Sequence, residues 1–458
     1  DPNADPDDFE ASVDDKGRLI EELEKEYSID SSRLYTTGQS MGCMSSLYLN
    51  SKYPDLFATS LYVSGQWDIS VLSGMESQKF FYVTAGGDGL KAKNTIGGGK
   101  AEISGGNVTI DAQGDGIQSD GAMTISGGTI DIVTLEGADN APEHAGDFFG
   151  GPPGWFNDVS ADDDTQSAKG LKALEDMTIT GGTITIDAYD DTIHSDSCVT
   201  ISGDADLVLT SGDDGIHADD TLSIADGLVE ISQSYEGLEA LFIDISGGEI
   251  HVTASDDGMN ANGDERFGPG FGGFGGQTDT LEDANTYLHI SGGLIYVDAA
   301  GDGLDSNGFL LVEGGEIYVS GPTNSMNGAL DSGTSAQVTG GMIVAAGASG
   351  MDEAFDSAST QPSLRYVFSY YVAADSRITL TDSAGNVLVE FTNPKQYNSV
   401  VISHPDMTVG ETYTLTCGDE SVEITLTDMV TSNSGGFGMG PGGMGGPGRR
   451  SRQSLTIT

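Results

Sequence analysis

Through the middle of the chain, apolar and polar residues alternate over short runs, as in Ile184-Thr185-Ile186 and Ile250-His251-Val252. A period of two predicts strands, because successive side chains of a strand point to opposite faces. Glycine pairs recur in phase with these runs, at Gly105-Gly106, Gly127-Gly128, Gly181-Gly182, Gly247-Gly248, Gly292-Gly293 and Gly314-Gly315. They mark corners where the backbone needs positive φ. A short knot, mostly acidic-glycine, follows each run, at Asp88-Gly89, Asp115-Gly116, Lys169-Gly170, Asp191-Thr192, Asp214-Gly215, Glu236-Gly237, Asp257-Gly258, Asp302-Gly303 and Asn327-Gly328. Neighbouring knots mostly lie about 22 residues apart, and a unit of that length cannot bury its own apolar face, so copies must stack. Short strands, glycine corners and a coil of about 22 residues predict an all-β parallel β-helix over residues 88–350.

Aligning the units separates three kinds of column. The inward one reads Ile110, Ile132, Ile186, Val252, Val297 and Val319, which is core. An outward one reads Thr109, Asp131, Thr185, His251, Tyr296 and Tyr318. Tyr296 and Tyr318, one coil apart, are either a surface pair for sugar rings or ordinary ladder packing. The acidic columns are Asp115, Asp191, Asp214, Asp257 and Asp302, then, five residues on, Asp120, Asp196, Asp219, Asn262 and Asn307, with Asp190, Asp213 and Asp256 beside them.

Composition makes those columns a problem. Lys and Arg number 18 against 72 Asp and Glu, a net charge of −54, yet 37% of residues are hydrophobic, too many for a disordered acidic tail. Equivalent residues on stacked strands lie about 4.8 Å apart, where like charges repel strongly. Asp and Asn oxygens with backbone carbonyls are what Ca²⁺ prefers, so a row of Ca²⁺ ions shared by adjacent coils is expected; a solvated acidic face is the alternative. His194 and His217 also stack one coil apart, and an exposed ladder is expected there rather than a transition-metal pair. A chain this acidic is not expected to bind nucleic acid. No apolar run is long enough to span a membrane.

The chain begins at Asp1 without Met, which reads as a mature form or a fragment. Cys43, Cys198 and Cys417 are too few and too scattered for a disulfide framework or zinc site. In residues 1–87, Leu19, Ile20, Leu23 and Tyr27 have helical spacing, and Gly38 to Gly42 reads G-Q-S-M-G between a strand and a helix. That is the context of a nucleophile elbow, with Ser40 as nucleophile and the Met41 amide in an oxyanion hole. The segment resembles part of an α/β-hydrolase esterase. It lacks the further strands, acid and His of such an enzyme, so a hydrolase remnant capping the β-helix is the simpler expectation.

Two inserts, 137–166 and 263–285, fall between knots and read as extruded loops. Trp155 and Phe156 in the first either stack on sugar rings or close down on the coil. Residues 351–432 lose the period and predict a small β-sandwich-like cap, with a hairpin at Ala384-Gly385-Asn386. Residues 433–458 read as a Gly/Met/Pro-rich tail.

The units ISGGNVTIDAQGDGIQSDG and ISGGEIHVTASDDGMNANG, with the FGG and PGG inserts, are similar to a family of right-handed parallel β-helix proteins from bacterial surfaces. The resemblance implies carbohydrate binding, with Ca²⁺ as cofactor, polygalacturonate or a related acidic plant polysaccharide as partner, and a secreted or cell-surface location. The Lys169 and Glu236 knots depart from the acidic pattern. The rival expectation is a pectin-degrading β-helix enzyme, for which Lys169 and Lys172 beside the acidic column are the available lyase bases; as binding residues, the same two lysines would meet sugar carboxylates. A surface spacer is the third.

Overall fold

Alternation in the sequence becomes stacking in space. A computed structural model of the chain describes residues 6–30, 33–39, 41–53, 56–63, 80–83, 88–92, 99–142, 167–262 and 286–434. Strand makes up 55% of it and helix 8%, and the strands wind a β-solenoid of about 10 turns. A typical coil has a three-residue strand such as Ile193–Ser195 and a long strand such as Val199–Ser211. Both pair in parallel with their counterparts on the next coil. The long strands bend at the glycine pairs, where the register shifts. Gly182 there has φ +103°, as a corner requires.

The inward column runs unbroken. Ile132 pairs with Ile186, then Leu209, Ile231, Val252, Val297 and Val319 follow coil by coil. All are buried. Knot glycines serve a different end from the corner glycines. A Cβ on Gly170 would lie 2.4 Å from Ile186 Cγ2 and 2.5 Å from the Thr192 carbonyl oxygen, so glycine lets the knot press onto the core. One knot differs from expectation: the Gly303 amide donates to the Gly328 carbonyl, and Leu304 bridges Leu330. The last turn is therefore one residue out of step, and Gly328 rather than Asn327 takes the acid's place.

Both ends of the solenoid are covered. Parallel strands Tyr35–Gln39, Thr59–Val63 and Phe80–Val83 continue its sheet, joined through Tyr82 opposite Ile110. Helix Met41–Lys52 connects the first two. The preceding helix, Pro6–Glu26, leaves Leu19, Leu23 and Tyr27 exposed. At the other end the pairing becomes antiparallel: Met342–Gly347 meets Tyr397–Ser403, which meets Ser363–Val372. A second sheet runs Val387–Asn393, Ser376–Thr381, Thr412–Cys417, Glu420–Thr425. The two enclose Phe368, Ile378, Leu380, Tyr397 and Leu415. This is the sandwich-like cap, and it removes the open sheet edge on which another chain could add.

Arg365 fastens that cap to the last coil. Its guanidinium grips Asp352 through two bonds of 2.6 and 2.8 Å, with both side chains almost wholly buried. Removing one partner of such a pair leaves a buried charge alone, so Arg365→Ala is expected to lower stability by about 3–5 kcal/mol. Gly170→Ala, which overpacks the knot, is expected to lower it by about 1–3 kcal/mol. Urea unfolding followed by circular dichroism measures both; an unmoved midpoint for Arg365→Ala contradicts this account of the cap.

Candidate functional site

Each knot aspartate already holds the fold together. The carboxylate of Asp88 accepts from the Asp115 amide at 3.3 Å, Asp115 from Lys169 at 3.0 Å, Asp191 from Asp214 at 3.2 Å, and Asp214 from Glu236 at 3.4 Å. Asp257 accepts from the Asp302 amide at 2.6 Å, and Asp302 from the Gly328 amide. One oxygen thus clamps the next coil. The other oxygen of Asp88, Asp191 and Asp214 meets a neighbouring ladder, at Lys91, His194 and His217.

That neighbour lies three residues on, at the centre of each short strand. In parallel register it reads Lys91, Gln118, Lys172, His194, His217, Glu239, Asn260 and Asp305. The signal was present in the sequence as one large polar residue between an apolar residue and a small one in LKA, IQS, IHS, LEA, MNA and LDS. Gln118, Glu239, Asn260 and Asp305 were nonetheless missed, because three residues are too few to show a period.

The two ladders neutralise each other over the first coils. The Lys91 ammonium reaches Asp88 at 2.9 Å, and that of Lys169 bonds Asp190 at 2.8 Å and Asp191 at 2.5 Å. Burial pulls Lys169 toward its neutral form, but Asp191 and Asp190 outweigh it and hold the ammonium charged. A lyase base must shed that proton, so Lys169 is poorly suited to the task. Lys172 instead donates to Ser167 at 3.2 Å. His194 and His217 stack at 4.9 Å between ring centroids. They are not the exposed pair expected, since their side chains are only 14% and 19% exposed and carboxylates flank both.

Further along the solenoid this ladder continues with Glu239, Asn260 and Asp305 and carries no cation. Asn260 turns its amide group on both Glu236 oxygens at 3.1 and 3.0 Å. Its own Oδ1 is buried without a hydrogen-bond partner. Asp302, Asp305, Asp331 and Glu353 make no ion pair among the described residues. Burial, then the charge of Asp257, pushes the Asp302 carboxyl up to about 8 and drives Asp305 well above its ordinary value. Burial, then Asp331, raises Glu353 to about 7. Asp256 and Asp257 crowd Gly301, where a Cβ would meet their oxygens at 2.5 and 2.4 Å.

The second acidic column is not a continuous row. Leu174 stands between Asp120 and Asp196, since the Leu174 amide donates to Ser119 and the Asp196 amide to Ala173. Asp196 and Asp219 reach back to the His194 and His217 rings at 3.1 and 3.4 Å. Asn307 donates to Asn262 at 2.5 Å. Among the described residues, three groups of possible metal ligands lie within 4.8 Å of one another: Asp190, Asp191 and Asp213; Asp191, His194 and His217; Asp214, His217 and Glu239.

His251, Tyr296 and Tyr318 form a continuous stack at 4.9 and 4.8 Å, and Phe391 of the cap tilts against its end at 5.4 Å. Each tyrosine face is covered by a neighbouring ring, so Tyr296 and Tyr318 offer a sugar only their edges. Ser40, Trp155 and Phe156 lie outside the described residues. Around Ser40, helix Met41–Lys52 follows the strand directly, and a Cβ on Gly38 would meet the Gly42 carbonyl oxygen at 2.0 Å, a tight strand-to-helix turn.

Crowded carboxyls give a pH signature. The folded protein holds the Asp302 proton more tightly than the unfolded chain does, so the contribution of Asp302 to stability falls as pH rises from about 4 to about 8. In chelator, Asp302→Asn is expected to match the wild type near pH 4 and to melt increasingly above it up to pH 8. A difference independent of pH contradicts a crowded Asp302.

Residues 69–213 match the model of a family described as carbohydrate-binding domain-containing protein. That stretch spans the first coils, from the N-terminal strands to the His194 ladder, and supports carbohydrate binding by the solenoid. No curated protein and no solved structure matches the chain.

Proposed function

We propose that the solenoid binds an acidic polysaccharide of the polygalacturonate class, outside the cell or on its surface, through Ca²⁺ ions held on the acidic ladder. The observation that carries the reading is Asn260 Oδ1, a buried oxygen without a partner, on the strand beside that of Asp305 and in the stretch where the ladder has lost its cations. Asn260, Asp302 and Asp305, with Asp257 alongside, are an all-oxygen donor set, which suits a hard cation. They do not close into a tight trio of carboxylates. Ca²⁺ takes six to eight oxygens, so an open set leaves positions for water and for sugar carboxylates.

Charge explains why the ion matters. A polyuronate approaching a chain of net charge −54 is repelled. A cation bridging protein and sugar carboxylates reverses that sign locally, so sugar affinity should follow calcium occupancy.

Calorimetric titration of Ca²⁺ into chelator-stripped protein, with polygalacturonate pulldown, tests this. Calcium is expected to bind and to raise the melting temperature. Pulldown should need it and release no unsaturated sugars. Replacing Asp302 and Asp305 by Asn together should weaken calcium binding at least tenfold and abolish pulldown at moderate calcium. Pulldown that persists in chelator sinks the calcium bridge, and release of unsaturated products favours a lyase.

A further inference from the structure

We propose that Asp214, His217 and Glu239 form a binding site for one first-row transition-metal dication of the Zn²⁺ type, separate from the oxygen-only calcium set. His217 Nδ1 lies 3.2 Å from Asp214 Oδ2 and 2.7 Å from Glu239 Oε2. Two carboxylates thus converge on one ring nitrogen, which has at most one proton to give them. The three ligand atoms lie within 4.8 Å of one another. Ligands about 2.0 Å from a tetrahedral Zn²⁺ stand about 3.3 Å apart, so small rotations of these side chains admit the ion.

The other ring nitrogen completes the pattern. His217 Nε2 faces Asp219 Oδ1 at 3.4 Å. A carboxylate there holds the proton on Nε2 and turns the Nδ1 lone pair toward the metal, the usual outer-shell support of a ligating histidine. The side chains of Asp214, His217 and Glu239 are 9%, 19% and 12% exposed, shielded from water yet open to an entering ion.

The preceding coil supplies the contrast. Asp191, His194 and Asp196 repeat the same D-x-x-H-x-D frame, with His194 Nδ1 2.8 Å from Asp191 and Nε2 3.1 Å from Asp196. There the Lys169 ammonium sits on Asp191 and satisfies it. On the next coil the residue corresponding to Lys169 is Asp191 itself, an acid. Asp214 and Glu239 then share a single imidazole nitrogen. A dication held among these atoms balances both carboxylates, where the one proton of the ring nitrogen can serve only one of them. The imidazole nitrogen selects against Ca²⁺ and for Zn²⁺.

The test is calorimetric titration of Zn²⁺ into the full chain in calcium-saturated buffer, with Co²⁺ as a spectroscopic stand-in. One tight equivalent is expected, with a visible absorption band from Co²⁺ in a site of low symmetry. His217→Ala should abolish it, Glu239→Gln should weaken it at least tenfold, and Asp219→Asn should weaken it about 10–100-fold. His194→Ala should keep it. Circular dichroism spectra and melting curves establish that each variant is folded, and Glu239→Gln, the mildest change, carries the test if His217→Ala does not fold. The proposal is overturned if the wild type binds no Zn²⁺, if folded Glu239→Gln binds it as tightly as wild type, if calcium displaces it, or if His194→Ala loses it.

Discussion

Everything in this molecule follows from parallel stacking at about 4.8 Å. Each side chain on a coil meets the equivalent side chain of the coil before and the coil after. For Ile186 between Ile132 and Leu209 that neighbourhood is a continuous core. For the knot acids it is like charge upon like charge, and the fold tolerates it because one oxygen of each knot aspartate is tied to the next coil's amide, as Asp191 is to Asp214. The same bond that builds the solenoid fixes the crowding. What varies from coil to coil is only how the remaining charge is met: by lysine, by histidine, by an amide, or by nothing among the described residues.

Much of this was legible in the sequence. Period-two alternation, glycine pairs and knots every 22 residues or so led to the solenoid, its inward column and the corner at Gly182, and loss of the period after residue 350 led to the cap. What escaped is what depends on the neighbouring coil. That the Asp115 carboxylate also ties down the Lys169 amide is visible only once the coils are stacked. Leu174 breaks the second acidic column, and the last turn moves Asn327 one position out of register. His194 and His217 read as exposed because their flanking acids come from the columns on either side of their strand. Glu239 and Asn260 carried no visible period, although they sit at the centres of the short strands where the charges meet.

The two ends solve one problem in different ways. At the N-terminal end, parallel strands prolong the sheet, so the solenoid passes into a strand-helix-strand unit without reversing direction. At the C-terminal end the direction reverses at Tyr397–Ser403, and a second sheet closes over the first. The buried pair of Arg365 and Asp352 makes that closure specific in orientation, since a guanidinium fork accepts a carboxylate in few geometries. Tyr318 against Phe391 adds a second point of contact.

Lys91, Lys169, His194 and His217 are covalently part of the early coils, whereas Asp302 and Asp305 have no such partner among the described residues. One half of the rod therefore brings its own counter-ions, and in the other half burial and like charge hold the carboxyls toward their protonated form. In a stacked array each coil is stabilised mainly by its neighbours, and partial melting is permitted. A rise in pH, which ionises the crowded carboxyls of the later coils, then acts on one end of the rod first. It loosens the coils next to the cap before the histidine coils, so acidity sets how many coils are ordered rather than whether the rod is folded.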